Sequence, residues 1–508
     1  METNLVTLLR THATQKPQSP CLTFGTETLS FGDVDARASR VARALAASDI
    51  QSGDRVAIVA RNTSVHFELF FGCAKSGVIF VPINWRLSAR EIADIVADAS
   101  PSLLFIEDEF QTLLSLDMPH QARTLLSHYP TWRDSAPPDD ADHTPSPNCP
   151  LLLLYTSGTT GTPKGVVLSH GNLSYLARMA HELWDMSNHS VNLVASPLFH
   201  IGGIGYAMTC MSQGGHTVLM QQVVPRDIVA AIRDQKVTHG FFVPTVIQML
   251  LDLPEVAEID LSSLNRIAYG AAPIGEAVLK RAIEIFGCGF MHTYGMTETA
   301  GTVVMLAPEE HEPDGPYANR LRSCGRPMPW NELMLVNPAT ENPVAVGEVG
   351  EIRIRSKANM LGYWNKPEET ARAITADGWL RTGDAAYRDE DGFIYLHDRY
   401  KDMIVSGAEN IYPTEIENVL YQHPDVTQVA VIGVPHERWG ETPKAFVVVR
   451  NGRHPSESEL IAFTRAQLAH YKCPTSVAFV TQLPMNASGK ILKKEMRNPE
   501  WLKENACP

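Results

Sequence analysis

The chain has 508 residues, 44% hydrophobic and 20% charged, enough for two to four domains with cores that need no metal or disulfide staple. Its formal net charge of −14 excludes an indiscriminate binder of nucleic acid or anionic membrane, since both reward clustered Lys and Arg. The eight cysteines stand singly, with no CxxC pair for zinc or an iron–sulfur cluster, and no apolar run approaches the roughly 20 residues of a membrane span.

In chain order, Val56 to Ala60 is a short apolar run suited to a buried strand, His66 to Ser76 follows with helical spacing, and Val78 to Pro82 is again strand-like. Ala89 to Ala97 repeats the helical spacing and Leu103 to Ile106 the strand. Strand–helix–strand alternation at this interval predicts parallel sheets covered by helices. Residues 135–148 carry no large apolar side chain and read as a solvated linker or loop. A strand from Leu151 to Tyr155 follows, then more α/β pattern through Thr217 to Leu219, Gly240 to Val243 and Ile267 to Tyr269.

Past residue 330 the pattern changes. Glu332 to Val336, Gly350 to Arg355 and Phe393 to Leu396 read as strands, and a charged, aperiodic stretch runs from Asp398 to Asp402. Pro413 opens a helix with Ile416, Val419 and Leu420 on one face. Strands from Val429 to Val434 and Ala445 to Val449, and a helix from Glu457 to Leu468, complete a small α+β unit. The predicted organisation is a large α/β domain over residues 1–401 and a smaller α+β domain over residues 402–508.

Tyr155 to Gly165, reading YTSGTTGTPKG, runs straight on from the strand at Leu151. Its glycines let backbone N–H groups turn towards an anion without Cβ clashes; Thr156, Ser157, Thr159 and Thr160 offer hydroxyl donors, and Lys164 adds a charge. By composition alone the same residues suit a polar surface loop equally well. A P-loop NTPase is excluded: with that pattern begun at Gly158, Pro163 replaces the second glycine and Gly165 the magnesium-binding hydroxyl residue.

This run resembles the signature loop of the adenylate-forming superfamily, which comprises acyl- and aryl-CoA synthetases, firefly luciferase and the adenylation domains of peptide synthetases. Further stretches resemble that family's motifs, in its order, between about Leu151 and Lys493: SPLFHIGG at Ser196 to Gly203, YGAAP at Tyr269 to Pro273, TYGMTE at Thr293 to Glu298, WLRTGD at Trp379 to Asp384, MIVSGAENIYP at Met403 to Pro413 and PMNASGK at Pro484 to Lys490.

The resemblance implies a large N-terminal adenylation domain and a mobile C-terminal domain that carries the catalytic lysine. It implies ATP or AMP held by Thr156, Ser157, Gly158, Thr159, Thr160, Gly161 and Lys164 of the loop, and by Gly270, Ala271, Ala272, Thr293, Tyr294, Gly295 and Met296 at strand ends around adenine. Asp384 and Arg399 are implied on the ribose, whose adjacent hydroxyls match the two acceptor oxygens of a carboxylate. Thr297 is expected to donate to the α-phosphate, and Glu298 to associate with Mg²⁺, a hard, oxygen-seeking cation. Lys490 is implied to bridge the substrate carboxylate and the α-phosphate, with His200 between acyl pocket and thiol channel. Ser406, Gly407 and Ala408 would line that channel, Ala408 replacing a glycine usual in the family, and Asp402 would be the hinge. Gly203, Phe242 and Val303 would border the acyl pocket, with Gly202, Gly203 and Gly205 leaving room for an aryl ring or an extended chain.

The implied activity is that of an AMP-forming acyl-CoA synthetase, with Mg²⁺ as cofactor and ATP and CoA as co-substrates. The second motif offers His200 and no acid, unlike the aspartate of amino-acid-activating relatives, and no Arg or Lys lies in Phe199 to Tyr206, Phe241 to Pro244 or Val303 to Met305. The expected substrate is therefore a monocarboxylate, first a medium- or long-chain fatty acid, next an aryl or cinnamic acid. A stand-alone enzyme loading a carrier protein, a luciferase-like oxygenase and an inactive nucleotide-binding protein stay open as alternatives. The last of these expects loss of demanding residues, whereas Lys164, His200, Glu298, Asp384, Arg399 and Lys490 are all present. Further expectations are a homodimer and a lysine acetyltransferase acting on Lys490, with no nucleic-acid or integral-membrane partner. The first thirty residues lack a signal-peptide core and Ala506-Cys507-Pro508 is not a peroxisomal tripeptide, so a cytoplasmic location is expected.

Overall fold

Two large sheets enclose a shared layer of helices in the computed structural model, which describes residues 4–115, 122–139, 144–156, 163–272, 274–399, 402–406, 409–436, 439–485 and 491–506. One sheet has seven strands in the order Gly362–Tyr363, Lys164–Ser169, Pro150–Thr156, Ile79–Ile83, Arg55–Val59, Leu103–Ile106 and Ala122–Leu125. The other has nine, in the order Arg326–Pro327, Gly301–Leu306, Gly289–Met296, Arg266–Gly270, His239–Phe242, Val191–Val194, His216–Leu219, Pro20–Phe24 and Glu27–Ser30. Both are parallel at the centre, where strands such as Arg55–Val59 bury Val56, Ala57, Ile58 and Val59 in succession because helices cover both faces. This is the arrangement the alternation predicts. Antiparallel strands stand at three of the four edges, the edge strand Ala122–Leu125 running parallel to its neighbour, and Pro150–Thr156 pairs antiparallel with Lys164–Ser169.

The helices Phe31–Ala47, Val65–Ser76, His170–Glu182 and Ile201–Ser212 contribute to the core between the sheets. Ala89–Ala99 covers the outer face of the seven-stranded sheet, and Pro225–Asp234, Pro244–Leu251 and Glu276–Phe286 cover that of the nine-stranded sheet. Ser30, Ser88 and Ser169 start their helices with reciprocal side-chain caps. Within the helical layer the buried Glu68 carboxylate accepts from Arg37 Nη1 at 3.0 Å, Arg133 Nη1 at 2.8 Å and Tyr129 Oη at 3.0 Å.

The stretch 135–148 is not simply solvated. Arg40 and Arg43 donate to the carbonyls of Ala136 and Asp139 at 3.0 and 3.1 Å, and Arg10 to Thr144 Oγ1 at 2.9 Å, so its described residues are fastened to the first two helices.

An antiparallel four-stranded sheet, Glu332–Val336, Gly350–Arg355, Leu380–Arg388 and Ile394–Arg399, shares a small core with Val303 and Val304. The change of sheet falls between Arg399 and Ile404, beyond which Ile404–Ser406, Glu409–Ile411, Val426–His436, Gly440–Val449 and Ser476–Phe479 form a separate five-stranded sheet. Pro413–Leu420 buries Ile416 and Leu420 as its spacing predicts. The next helix, Glu457–Arg465, stops short of the predicted Leu468. Among the described residues no helix is long and apolar enough to cross a membrane.

Every described cysteine is a free thiol, buried or half-buried. Burial pushes the thiols of Cys210 and Cys288 up to about 12 and those of Cys21, Cys73 and Cys324 higher still.

Burial also lowers His66, His200 and His311 from 6.5 to about 4, and His292 to about 3. These imidazoles are neutral when folded and take up protons when unfolded. Their contribution is full above 6.5 and is lost as pH falls from 6.5 through about 4. The urea midpoint is expected to be level from pH 7 to 8 and to fall steadily below pH 6. A midpoint rising on acidification would contradict it.

Candidate active site

The strands Pro150–Thr156 and Lys164–Ser169 set Thr156 opposite Lys164 in register. Of the predicted site residues, Ser157, Gly158, Thr159, Thr160, Gly161, Gly407, Ala408 and Lys490 lie outside the described residues. Lys164 forms an ion pair with Glu369 of the helix Pro367–Ala373, and its ammonium stands 5.1 Å from the ring centroid of Tyr363. The Tyr363 hydroxyl in turn donates to Glu298 Oε1 at 2.9 Å. Tyr363 reaches this place because Gly362–Tyr363 adds an edge strand to Lys164–Ser169. The preceding turn is held by Asn172, whose amide donates to the carbonyls of Lys357 and Asn359 at 2.8 and 2.7 Å, and by Met360 N donating to Glu298 O at 2.7 Å.

Thr297 and the buried Glu298 turn the chain at the end of Gly289–Met296. On that strand Thr293 Oγ1 donates to Tyr269 O at 3.1 Å, and Met296 N donates to Thr299 Oγ1. Gly270, paired in register with Thr293, leads into Ala271 and Ala272. Ala271 holds φ +67°, a left-handed backbone that costs a non-glycine residue about 1 kcal/mol and is characteristic of functional loops.

The Tyr294 hydroxyl donates to Asp384 Oδ2 at 2.7 Å, joining the nine-stranded sheet to the four-stranded one. Burial first, and the Asp384 charge second, hold the Tyr294 phenol well above its ordinary range, so it stays the donor. Gly383, at φ +72°, turns the strand so that Asp384 N meets Thr382 Oγ1 at 3.1 Å. Arg399 lies opposite Asp384 in register. Lys164, Glu298, Thr297, Tyr294 and Asp384 thus form a continuous row along adjoining strand ends, with Gly270, Ala271 and Thr293 beside it.

His200 immediately precedes the helix Ile201–Ser212. The turn before it is anchored by buried Asn62, whose amide donates to Ser196 O and Met220 O, each at 3.0 Å, and whose oxygen accepts from Leu198 N at 2.9 Å. The His200 ring lies 4.6 Å from that of Phe199, and its Nε2 is buried with no hydrogen-bond partner. Burial first and the nearby Arg86 second lower its pKa to about 4, so the imidazole is neutral at physiological pH. In the smaller sheet Ser406 pairs in register with Glu409 and Gly440, and Asp402 Oδ1 lies 3.9 Å from Arg497 Nη2.

Three acyl-pocket expectations need correction. Side chains alternate along the strand His239–Phe242, so Phe242 points away into the core beneath the outer helices, whereas Phe241 is half-buried against Tyr206 on the His200 side. Gly203 leaves no room for an acid: a Cβ there would stand 2.1 Å from Pro197 O. At Gly202 and Gly205 the neighbouring space is occupied by Phe241 and Ile201. Val303 belongs to the core shared with the four-stranded sheet, while Ile201, Phe241, Met296 and Met305 are the partly buried apolar side chains of the central core near the strand ends.

The sequence patterns miss Asn62, Tyr363 and Glu369. Asn62 follows a buried strand and Glu369 sits in an exposed-looking acidic helix, so neither carries a local signal; only chain packing brings them to the site.

The family model for AMP-binding enzymes matches residues 9–364, and that for the AMP-binding enzyme C-terminal domain matches residues 415–490. Over 508 aligned residues the chain is 38% identical to the fatty acid–[acyl-carrier-protein] ligase ScoC of Streptomyces coeruleorubidus, covering 98% of this chain and 97% of that protein. It is also 38% identical to a feruloyl-CoA synthase of an Amycolatopsis species, with 96% of each chain covered. Among solved structures, ATP-bound MatB from Rhodopseudomonas palustris superposes with a TM-score of 0.90 at 26% identity, covering 97% of this chain and 98% of that one. The chain belongs to the family of AMP-binding enzymes: it is an ATP-dependent, AMP-forming ligase in the acyl- and aryl-CoA synthetase branch of the adenylate-forming superfamily.

Proposed function

We propose that the chain activates an organic monocarboxylate with ATP and passes the acyl group to coenzyme A. The observation that carries this reading is the row from Lys164 through Glu298 and Tyr294 to Asp384, set beside a neutral histidine and an apolar helix face. In the first half-reaction a carboxylate oxygen bonds to the α-phosphorus of ATP and the bond to pyrophosphate breaks. Negative charge gathers on groups already anionic, so positioning and charge stabilisation supply the rate. Lys164 and the loop amides face the departing pyrophosphate, Thr297 the α-phosphate, and Asp384 with Arg399 the ribose. Lys490 comes from the small domain, residues 402–508, to hold the carboxylate against the α-phosphate.

Glu298 suits Mg²⁺ brought by ATP. A single buried carboxylate, oriented by Tyr363, matches a cation that keeps most of its ligands as phosphate oxygens and water. When bound, the ion neutralises phosphate charge.

In the second half-reaction the thiol sulfur bonds to the acyl carbonyl, AMP leaves, and the thiol proton passes to solvent. Lys490 must withdraw first, and we assign this to rotation of the small domain about Asp402, with Ser406, Gly407 and Ala408 lining the thiol path past His200. A neutral imidazole at that entrance does not hold an incoming thiolate as an ion pair. Transfer to a carrier protein is the second reading, favoured by the name of the relative ScoC. Competition between CoA and a pantetheinylated carrier protein separates the two.

The Lys490→Ala enzyme is expected to lose about 10²-fold or more in acid-dependent ATP–pyrophosphate exchange while still forming thioester from supplied acyl-adenylate. Unchanged exchange would remove Lys490 from the mechanism. Asp402→Pro is expected to spare exchange and to depress CoA-dependent turnover; equal losses in both would argue against a hinge there.

Glu369 competes with phosphate for Lys164. Replacing it as Glu369→Gln is expected to tighten ATP binding about two- to five-fold in calorimetry, the scale of a partly exposed ion pair. Weaker ATP binding by the variant would show that Glu369 orients Lys164 instead.

A further inference from the structure

The helix Ala89–Ala99 ends against the neck of the proposed phosphate loop. The chain enters that loop from Pro150–Thr156 and returns along Lys164–Ser169, with Tyr155 opposite Gly165 and Thr156 opposite Lys164 in register. On the outer face of the seven-stranded sheet the Tyr155 hydroxyl donates to Asp98 Oδ2 at 2.6 Å. The main-chain carbonyl of the same Asp98 accepts from Trp364 Nε1 at 3.2 Å and from Asn365 Nδ2 at 3.3 Å. Trp364 N in turn donates to Gly165 O at 2.7 Å. Asp98 therefore grips both sides of the neck, one through its side chain and the other through its backbone.

The last carbonyls of a helix have no intrahelical partner and must be met from outside. Here Ser100 Oγ donates to Ala97 O at 3.1 Å, and Arg55 donates from Nε to Ala99 O at 2.8 Å and from Nη2 to Ser100 O at 2.5 Å. The Arg55 guanidinium also lies 5.4 Å from the ring centroid of Trp364. The charge of Arg55 suits the negative end of the helix dipole, whereas a carboxylate in the last turn opposes it. Helix stability alone does not place an aspartate at position 98; the Tyr155 hydroxyl gives it a partner there. Burial first, and the hydrogen bond to Asp98 second, hold the Tyr155 phenol well above its ordinary range, so it stays the donor. Gly165 lets the neck close: a Cβ there would stand 3.1 Å from Tyr155 Cζ and 3.2 Å from Trp364 Cβ.

These contacts reach the chemistry through chain neighbours. Tyr155 precedes Thr156, and Gly165 follows Lys164. Trp364 follows Tyr363, whose ring centroid is 5.1 Å from the Lys164 ammonium and whose hydroxyl holds Glu298. Resting on the proposed carboxylate activation, we propose that Asp98, Tyr155 and Trp364 are positioning residues, a clamp on the outer face of the sheet that sets the phosphate loop and Lys164 for the pyrophosphate-releasing half-reaction and takes no part in thiol transfer. Charge stabilisation by fixed groups is sensitive to small displacements, so a loosened neck weakens that half-reaction first.

The test uses the full-length enzyme, Tyr155→Phe, Asp98→Ala, Asp98→Asn and the double variant Tyr155→Phe with Asp98→Ala. It measures kcat and KM for ATP in acid-dependent ATP–pyrophosphate exchange across a panel of aliphatic and aryl acids, and thioester formation from CoA and supplied acyl-adenylate. Tyr155→Phe and Asp98→Ala are each expected to lower exchange kcat/KM for ATP by about five-fold or more, the scale of one charge-assisted hydrogen bond, chiefly through KM. Thioester formation is expected to stay within about two-fold of the parent. Asp98→Asn, which keeps an acceptor for the Tyr155 hydroxyl, is expected to restore most of the exchange, and the double variant to be no worse than the weaker single by more than about two-fold, as for two ends of one contact. Thermal midpoints check folding; should Tyr155→Phe not fold, Trp364→Phe removes the Nε1 donor on the other side of the neck and is expected to show the same split. Unchanged exchange in the single variants, or equal losses in exchange and thioester formation, would overturn the clamp and leave carboxylate activation intact. A parent enzyme that shows exchange with no acid of the panel would overturn the activation, and this role with it.

Discussion

Asn62 ties the end of one sheet to the strand ends of the other. Its amide donates to the carbonyls of Ser196 and Met220 and its oxygen accepts from the buried N–H of Leu198. The Leu198 N–H, left unpaired in the interior, would cost about 1–3 kcal/mol, and the three bonds together hold the turn between strand Val191–Val194 and helix Ile201–Ser212 in its setting. The position of His200 follows from that setting, as do the helix that begins after it, the face that meets Phe241, and the depth at which Tyr206 stands.

The rest of the site works by holding charges in defined company. Lys164 is paired with Glu369 and lies over Tyr363, which fixes Glu298; Asp384 is held by Tyr294. The Lys164–Glu369 pair is weak by itself, since both side chains are partly exposed. The effect of these contacts is preorganisation: the Glu298 and Asp384 carboxylates are already oriented, and the Lys164 ammonium has a partner it can exchange. The segment 357–364 matters here because it is tied at once to Asn172, to Glu298 and to the strand Lys164–Ser169, so it fixes Tyr363 between Lys164 and Glu298.

Much of this was legible in the sequence. The central strands announce themselves as apolar runs because both of their faces are covered, and Leu103–Ile106, Glu332–Val336 and Gly350–Arg355 fall where their patterns put them. The nucleotide motifs are legible because they are local: a turn, a glycine and its neighbours in a fixed order. What failed depended on direction. Whether Phe241 or Phe242 faces the core between the sheets is a matter of one residue in a two-residue period, and a short, wholly apolar strand gives no cue to which face is which. The glycines after His200 looked like space and are instead close contacts with Pro197, Phe241 and Ile201, which only the folded backbone reveals. The antiparallel return of Lys164–Ser169, and the clamping of residues 135–148 by arginines from two helices, are likewise long-range pairings with no trace in local composition.

The suppressed thiols have a chemical meaning for an enzyme of this kind. An acyl-adenylate is an indiscriminate acyl donor, and any thiolate of the protein that met it would be acylated in place of the intended acceptor. Nucleophilic attack needs the thiolate, and the buried thiols keep their protons: Cys210 in the central core and Cys288 beneath the outer helices titrate only at about 12. Chemoselectivity is thus built into the core packing. Burial that keeps Cys21, Cys73, Cys210 and Cys324 as thiols also keeps them from alkylating reagents and peroxide as long as the chain stays folded.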